Sequence, residues 1–136
     1  MTREAVEKLA AFVKANKSAR NRFKPVPKER RTWKGRVFAS EREMMRWIDL
    51  ERLQDAGLIT HLEYQPKFEV LVKGKKLCTY TADSSYYEGP EDNRVWVVED
   101  VKSSGKYGTG ASASYRLRKK GAELMYGFIV REYTAK

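Results

Sequence analysis

The sequence is poor in the residues that crosslink proteins or bind soft metals. Its 136 residues include one cysteine and one histidine. A single cysteine excludes an internal disulfide, and with only one histidine beside it a zinc site built from these residues is not expected. Any bound metal should therefore have oxygen ligands, which favours Mg²⁺ or Mn²⁺.

The chain also lacks long apolar runs. Because none occurs near the N-terminus, we expect neither a signal peptide nor a membrane span, and we expect a soluble protein of the cytoplasm. The length predicts one domain with one core, and the apolar fraction of 41% is sufficient for it. We predict a basic N-terminal helix and arm over residues 1–32 and a core domain over residues 33–136.

Acidic residues are outnumbered by basic ones, 18 against 28, which gives a formal net charge of +10. Such an excess suits a polyanionic partner, most simply nucleic acid, because neutralised phosphates release counterions. It does not distinguish DNA from RNA or from an acidic protein. The excess is concentrated between Lys14 and Lys34, where Pro25 and Pro27 exclude a regular helix. A solvated arm is the simpler interpretation, but interleaved aromatic residues favour nucleic-acid contact. The candidate nucleic-acid-binding residues are Arg20, Arg22, Lys24, Arg30, Arg31, Trp33, Lys34, Lys106, Arg116, Lys119 and Lys120.

The hydrophobic periodicity predicts an α/β or α+β fold, with a central mixed sheet of about four to five strands flanked by helices. The first expected elements are a helix over 2–16, a short turn and strand over 33–38, and a helix from Glu41 to about Ala56. One strand over 58–72, with an edge or bulge at Pro66, and a returning strand over 77–82 follow. Residues 84–94 are expected to form a loop or a wide hairpin connection, and the chain ends with a strand over 95–102, a helix from Ala113 to about Gly121 and a strand over 125–133.

The strand over 95–102 ends in charged residues. Asp100 and Lys102 share one face of a regular strand, and Glu99 points to the other. One interpretation is an ion pair where the strand reaches solvent. The other is a metal-binding acid beside a lysine that handles a water nucleophile. We assign the metal to Asp100, although a bulge would assign it to Glu99 instead.

Two further acids lie where they can join this strand end. Asp83 ends the preceding predicted strand, so if the two strands are neighbours its carboxylate meets Asp100 and Lys102. Repelling carboxylates of this kind suit Mg²⁺. Glu43 follows the predicted N-cap Ser40 by three residues, so it either completes a capping box or points into the site.

This combination resembles the PD-(D/E)xK nuclease superfamily, which includes many restriction enzymes and Holliday-junction resolvases. It looks closer still to small phage-encoded endonucleases. The resemblance covers residues from about 33 to 133, and Ala82 stands where the superfamily name has proline. The phrases that carry it are Phe38-Ala39-Ser40-Glu41-Arg42-Glu43, Leu62-Glu63-Tyr64-Gln65-Pro66-Lys67-Phe68, Tyr80-Thr81-Ala82-Asp83 and Val97-Val98-Glu99-Asp100-Val101-Lys102.

The resemblance implies a restriction-endonuclease-like core and a Mg²⁺-dependent (or Mn²⁺-dependent) DNA endonuclease. The basic arm and the small size suit a structure-selective enzyme, similar to a Holliday-junction resolvase. We expect such an enzyme to act as a homodimer in the host cytoplasm, in phage recombination, replication or packaging. A nickase or end-processing nuclease is the alternative substrate class. The implied catalytic residues are Glu43, Gln65, Asp83, Asp100 and Lys102, with Glu43, Asp83 and Asp100 as metal ligands.

Two other classes of protein fit the same residues. One is a non-catalytic nucleic-acid-binding protein that retains the nuclease fold. The other is a basic scaffold protein in which the acids and Lys102 form a solvated ion-pair cluster.

Overall fold

The computed structural model describes residues 2–8, 26–102 and 112–134. Residues 3–8 are helical, and Thr2 caps them by accepting a hydrogen bond from the Ala5 amide at 3.2 Å. The rest of the helix predicted over 2–16 lies outside the described residues. So do Arg20, Arg22, Lys24 and Lys106.

The described part has a mixed α+β architecture. Its two longer helices are α1 (Glu41–Asp55) and α2 (Ala113–Tyr126), and short 3₁₀ turns occupy Lys28–Arg31 and Glu91–Asn93. None of the described helices is both long and apolar enough to cross a membrane. The strands are β1 (Thr32–Trp33), β2 (Arg36–Val37), β3 (Ile59–Tyr64), β4 (Lys67–Val72), β5 (Lys75–Thr81), β6 (Ser84–Glu88), β7 (Val95–Lys102) and β8 (Arg131–Thr134).

The central sheet has four strands in the order β3-β6-β7-β8. Strand β6 is antiparallel to β3 and β7, and β8 is parallel to β7. The predicted mixed sheet flanked by helices is therefore confirmed at this level. Two hairpins, β1–β2 and β4–β5, stand beside the sheet.

The single strand predicted over 58–72 is wrong, because the chain breaks at Gln65-Pro66 into β3 and β4. Gln65 has a left-handed backbone (φ 47°), and Pro66 has no amide hydrogen for a ladder. Strand β4 consequently leaves the central sheet and pairs with β5. The alternation of apolar residues continues across the break, which is why one strand was predicted.

The loop predicted over 84–94 is also wrong in its first half, since Ser84–Glu88 is the strand β6. It runs on from β5 after only Ala82 and Asp83, so the chain passes from the hairpin into the central sheet. Ser84 and Ser85 suggest a loop by composition, yet both are buried because β3 and β7 flank them. Tertiary pairing overrides the local turn signal here.

Helix α1 has the predicted cap, with Ser40 Oγ accepting from the Glu43 amide at 3.1 Å. Ser112 caps α2 in the same way, but α2 continues past the predicted end at Gly121 to Tyr126. The helix ends at Gly127, whose φ is 82°. Gly121 instead allows close packing: a Cβ there would lie 2.9 Å from a methyl carbon of Val70.

The two faces of β7 enter different parts of the core. Val97 packs with Leu50 of α1, whereas Val98 packs in a cluster that contains Ala122 of α2. Side chains of β7 therefore alternate between the α1 side and the α2 side of the sheet. This alternation decides the environments of Glu99 and Asp100.

Candidate active site

Asp83 and Asp100 lie side by side where β5 passes into β6. The Asp83 amide donates to Asp100 Oδ1 at 3.0 Å, and the Val101 amide donates to Asp83 Oδ2 at 2.7 Å. The Asp100 carboxylate thus binds the backbone of Asp83, and the Asp83 carboxylate binds the backbone of β7 next to Asp100. The juxtaposition that the sequence left conditional is present, although Asp83 precedes β6 and does not simply end β5.

Two tyrosines hold the other oxygen of Asp100. The hydroxyls of Tyr80 and Tyr115 both donate to Asp100 Oδ2. Burial first, and then the hydrogen bond to Asp100, raises the pKa of both phenols. Both tyrosines therefore remain protonated at neutral pH and act as donors to the carboxylate.

Lys102 lies on the same side of β7 as Asp100 and is positioned by Tyr115. Its Nζ donates to the Tyr115 hydroxyl at 2.6 Å and lies 3.8 Å from the centre of that ring. One phenol therefore links the lysine to Asp100. Because Tyr115 stands in the first turn of α2, the start of this helix sets the position of the ammonium group.

Glu43 directs its side chain toward the acid pair. Its backbone amide is capped by Ser40, but within the described residues its carboxylate makes no hydrogen bond, so no capping box closes. Instead it lines a small pocket with Asp83, Trp47 and Tyr64. Burial, followed by the charges of Asp83 and Asp100, raises the pKa of Glu43 to about 7.

The three carboxylates repel one another. Burial is the largest cause that raises the pKa of Asp83 to about 6; the Val101 amide opposes it and the charge of Asp100 adds to it. A cation among these groups would relieve both the repulsion and part of the burial cost.

The side chains suit a Mg²⁺ ion that is bound by two carboxylates, rather than one that is fully enclosed by protein ligands. Within the described residues, no group of three or more His, Cys, Asp or Glu side chains is arranged to hold a metal. Mg²⁺, however, is commonly bound by one or two carboxylates plus waters and substrate phosphates. Asp83 Oδ1 accepts no hydrogen bond within the described residues, and Asp100 Oδ1 accepts one, so both retain lone pairs.

Glu99 has a different environment on the α1 side of the sheet. It is fully buried and accepts hydrogen bonds from Arg46 Nε at 2.9 Å, Arg46 Nη2 at 2.8 Å and the Tyr86 hydroxyl at 2.9 Å. Burial opposes the charge of Arg46, but the contacts with Glu99 outweigh it and raise the pKa of the guanidinium. Strand β7 pairs with β6 without a bulge, so Glu99 and Asp100 face opposite sides.

Gln65 approaches the acids through its backbone. Its amide donates to the Asp83 carbonyl at 3.0 Å, and the Ala82 amide donates to the Pro66 carbonyl at 3.1 Å. The Gln65 side chain is exposed and makes no hydrogen bond within the described part of the chain. The break between β3 and β4 is therefore attached directly to Asp83.

The predicted nucleic-acid-binding residues divide into internal and exposed groups. Arg31 has a structural role, since its Nε donates to the Val26 carbonyl at 3.0 Å and its Nη1 to the Phe38 carbonyl at 2.6 Å. Carboxylates engage most of the others that are described: Arg30 contacts Glu41, Trp33 and Lys34 contact Glu51, and Lys119 contacts Glu132. Arg116 and Lys120 are exposed on α2.

Sequence reasoning missed four side chains that organise the acids: Arg46, Tyr80, Tyr86 and Tyr115. A signal existed for Arg46, because it occupies the helical stripe of Leu50 and Leu53, where a charge needs a buried partner. Tyr80 and Tyr115 gave no comparable signal. A tyrosine on an apolar stripe indicates core packing unless the position of its hydroxyl is known.

Comparison of the chain with protein-family models, with curated proteins and with solved structures finds no match in any of the three.

Proposed function

We propose that this protein is a Mg²⁺-dependent DNA endonuclease with a core of the PD-(D/E)xK type. One observation carries the proposal: Asp83 and Asp100 are in direct contact, and Lys102 lies on the same face of β7 as Asp100. The raised pKa values of Glu43 and Asp83 support it, because burial first and neighbouring acids second disfavour their charged forms, and a cation would offset both effects.

The residues of the chain divide the expected work. Asp83 and Asp100 would hold Mg²⁺, with the Glu43 carboxylate beside them, and the bound ion would supply Lewis acidity at the scissile phosphate and make a water more acidic. Lys102 places a positive charge beside the acids, where it stabilises negative charge that develops on the phosphate. Tyr115 holds this ammonium and Asp100 in a fixed relation.

The proposed substrate is branched DNA, as in Holliday-junction resolution during phage recombination, replication or packaging. The net charge of +10 supports a nucleic-acid substrate that is recognised through its phosphates. Resolution requires two opposed cuts, so we propose a homodimer with twofold symmetry. A nickase or end-processing nuclease is the competing substrate assignment.

A non-catalytic nucleic-acid-binding protein is the second candidate function, and one observation favours it. Asp100 already accepts hydrogen bonds from the Asp83 amide, Tyr80 and Tyr115, so an ion at this carboxylate shares it with three donors. Such a network can also serve only to stabilise the fold.

The test is cleavage of supercoiled, linear and four-way-junction DNA in Mg²⁺, in Ca²⁺ and in EDTA. We expect wild-type cleavage in Mg²⁺ alone, and we expect D83N, D100N and K102M to bind DNA in Ca²⁺ without cutting in Mg²⁺. Asp92→Asn is the matched control, because Asp92 is an exposed acid on the 3₁₀ turn before β7, at the opposite end of that strand from Asp100. DNA binding without cleavage in Mg²⁺ or Mn²⁺ would favour the second candidate. No binding even at low salt would leave the basic scaffold.

A substrate panel of junction, flap, Y-shaped and linear DNA then separates the nuclease classes. Symmetric paired nicks across a four-way junction would support a resolvase. A single nick or progressive shortening of ends would refute it in favour of the competing assignment.

A further inference from the structure

Arg36 is an exposed arginine that two aromatic rings hold in place. Its guanidinium carbon lies 3.9 Å from the centre of the Tyr64 ring and 5.3 Å from that of Trp47. Cation–π contact of this kind orients a planar guanidinium while its N–H groups remain able to donate. Within the described residues, no carboxylate forms an ion pair with Arg36.

The aromatic platform beneath Arg36 is itself fixed. Tyr64 makes edge-to-face contacts with Phe38 and Trp47, at ring separations of 5.5 and 5.4 Å. The Trp47 indole donates to Glu51 at 3.0 Å, and the same carboxylate accepts from Trp33 at 2.9 Å. The position of Arg36 is thus set by a rigid group of rings rather than by one flexible contact.

The platform also forms one wall of the candidate active site. Trp47 and Tyr64 line the same pocket as Glu43 and Asp83, so the rings that hold Arg36 and the acids face a common space. The charges of Arg36, Glu43 and Asp83 all act on the Tyr64 hydroxyl, although burial is the largest influence on its raised pKa. Arg36 is therefore a cation near the cluster of acids, but it forms no ion pair with them.

We propose that Arg36, held on Tyr64 and Trp47, is a phosphate-binding residue. It would bind a phosphate of the DNA strand next to the phosphate that lies at Asp83 and Asp100. This inference rests on the proposed DNA substrate and adds a subsite to it. A planar guanidinium binds the two free oxygens of a phosphodiester through paired N–H groups. Its role is to position the strand, so it acts on DNA binding before it acts on cleavage.

The test measures the affinity of catalytically silent complexes in Ca²⁺ as a function of salt concentration. A fluorescein-labelled four-way junction and a linear duplex serve as probes, and fluorescence anisotropy gives the Kd. We expect R36Q to weaken binding of both probes about tenfold or more, because a charge-assisted hydrogen bond is lost. The slope of log K against log salt should fall by about 0.9, which corresponds to one phosphate contact. R36K should keep the slope but bind more weakly than wild type, because an ammonium lacks the paired donors.

Arg94→Gln is the matched control. Arg94 is also exposed, and its guanidinium carbon lies 4.3 Å from the centre of the Tyr87 ring, so R94Q removes the same kind of cation–π contact elsewhere in the protein. Tyr87 stands three residues along β6 from Ser84, which is about 10 Å farther from the acids at ~3.3 Å per residue. R94Q should leave both the affinity and the salt slope unchanged.

The outcomes separate this inference from the proposed function. Wild-type affinity and slope in a folded R36Q, checked by circular dichroism and a urea midpoint, would overturn the role of Arg36 even if the wild type cuts DNA. Equal losses in R36Q and R94Q would also overturn it, because they would indicate general electrostatics. A protein that binds DNA through Arg36 but never cuts would refute the endonuclease alone. A wild type that binds no DNA would refute both.

Discussion

The buried ion pair between Arg46 and Glu99 gives the sharpest test of how this sheet is built. Glu99 is fully buried, and the Arg46 side chain is 14% exposed. Removing one partner of such a pair typically costs about 3–5 kcal/mol, because the other charge stays buried without compensation. The free energy of unfolding of a domain is only about 5–15 kcal/mol, so either loss should be large.

The two single variants should differ in a way that the structure specifies. Arg46→Met leaves Glu99 with one donor, the Tyr86 hydroxyl, so we expect a cost near the upper value of about 5 kcal/mol. Glu99→Gln leaves the arginine, which is partly exposed and stacks on Tyr133 at 3.8 Å, so we expect about 3 kcal/mol.

The double variant R46M/E99L separates the pair from its burial. Replacing both charges with apolar side chains removes the desolvation cost as well as the attraction, so it should recover most of the lost stability. Urea denaturation with linear extrapolation measures all four proteins. A loss below about 1 kcal/mol in R46M, or a double variant that loses the sum of both singles, would refute the buried pair.

E99Q and D100N together decide which of two adjacent acids serves the proposed site. E99Q, corrected for its folded fraction, should retain DNA cleavage, whereas D100N should lose it while remaining folded. The opposite pattern would mean that the strand is not regular at this point and that Glu99, not Asp100, faces the metal.

Three further predictions follow from single features of the fold. In EDTA, the free energy of unfolding should fall as pH rises from about 5 to 7, because Glu43 (pKa about 7) and Asp83 (pKa about 6) hold protons in the folded state that the unfolded chain has already released. Urea titrations across this range should show the fall, and E43Q should reduce it. A steeper fall in E43Q would contradict the explanation. Gly121→Ala should destabilise the folded protein by about 1–3 kcal/mol despite the better helix propensity of alanine, because its Cβ would lie 2.9 Å from buried Val70. Thermal unfolding measures this loss, and as a control V70A should reduce the loss that G121A causes. Tyr115→Phe should lower the cleavage rate at least about tenfold and leave the DNA affinity in Ca²⁺ unchanged, because the Lys102 ammonium loses its 2.6 Å hydrogen bond. A change in affinity alone would argue against a positioning role for Tyr115.

The sequence predicted well where local chemistry decides the outcome. The predicted cap at Ser40 follows from a hydroxyl group placed three residues before an amide that needs an acceptor. The split of Glu99 and Asp100 onto opposite faces follows from the period of a strand. The mixed sheet and its helices follow from the order of apolar patterns.

The errors arose where distant parts of the chain decide. Ser84–Glu88 became a strand because β3 and β7 pair with it on both sides, which no local signal records. Gly121 resembles a helix end in sequence, but it is a contact point with Val70. Pro66 was correctly seen as a disturbance, yet only the fold shows that it transfers the chain from one sheet to another.

For the candidate site, the sequence by itself selected the acids and the lysine as candidates, because their residue types and predicted positions restrict what they can do. Tertiary structure alone decided how they meet. Asp83 reaches Asp100 through a backbone amide, Lys102 is held by a tyrosine thirteen residues away, and Glu99 is neutralised by an arginine from α1. These contacts join segments far apart in the chain, and hydrogen bonds of this kind depend on distances that residue spacing does not encode.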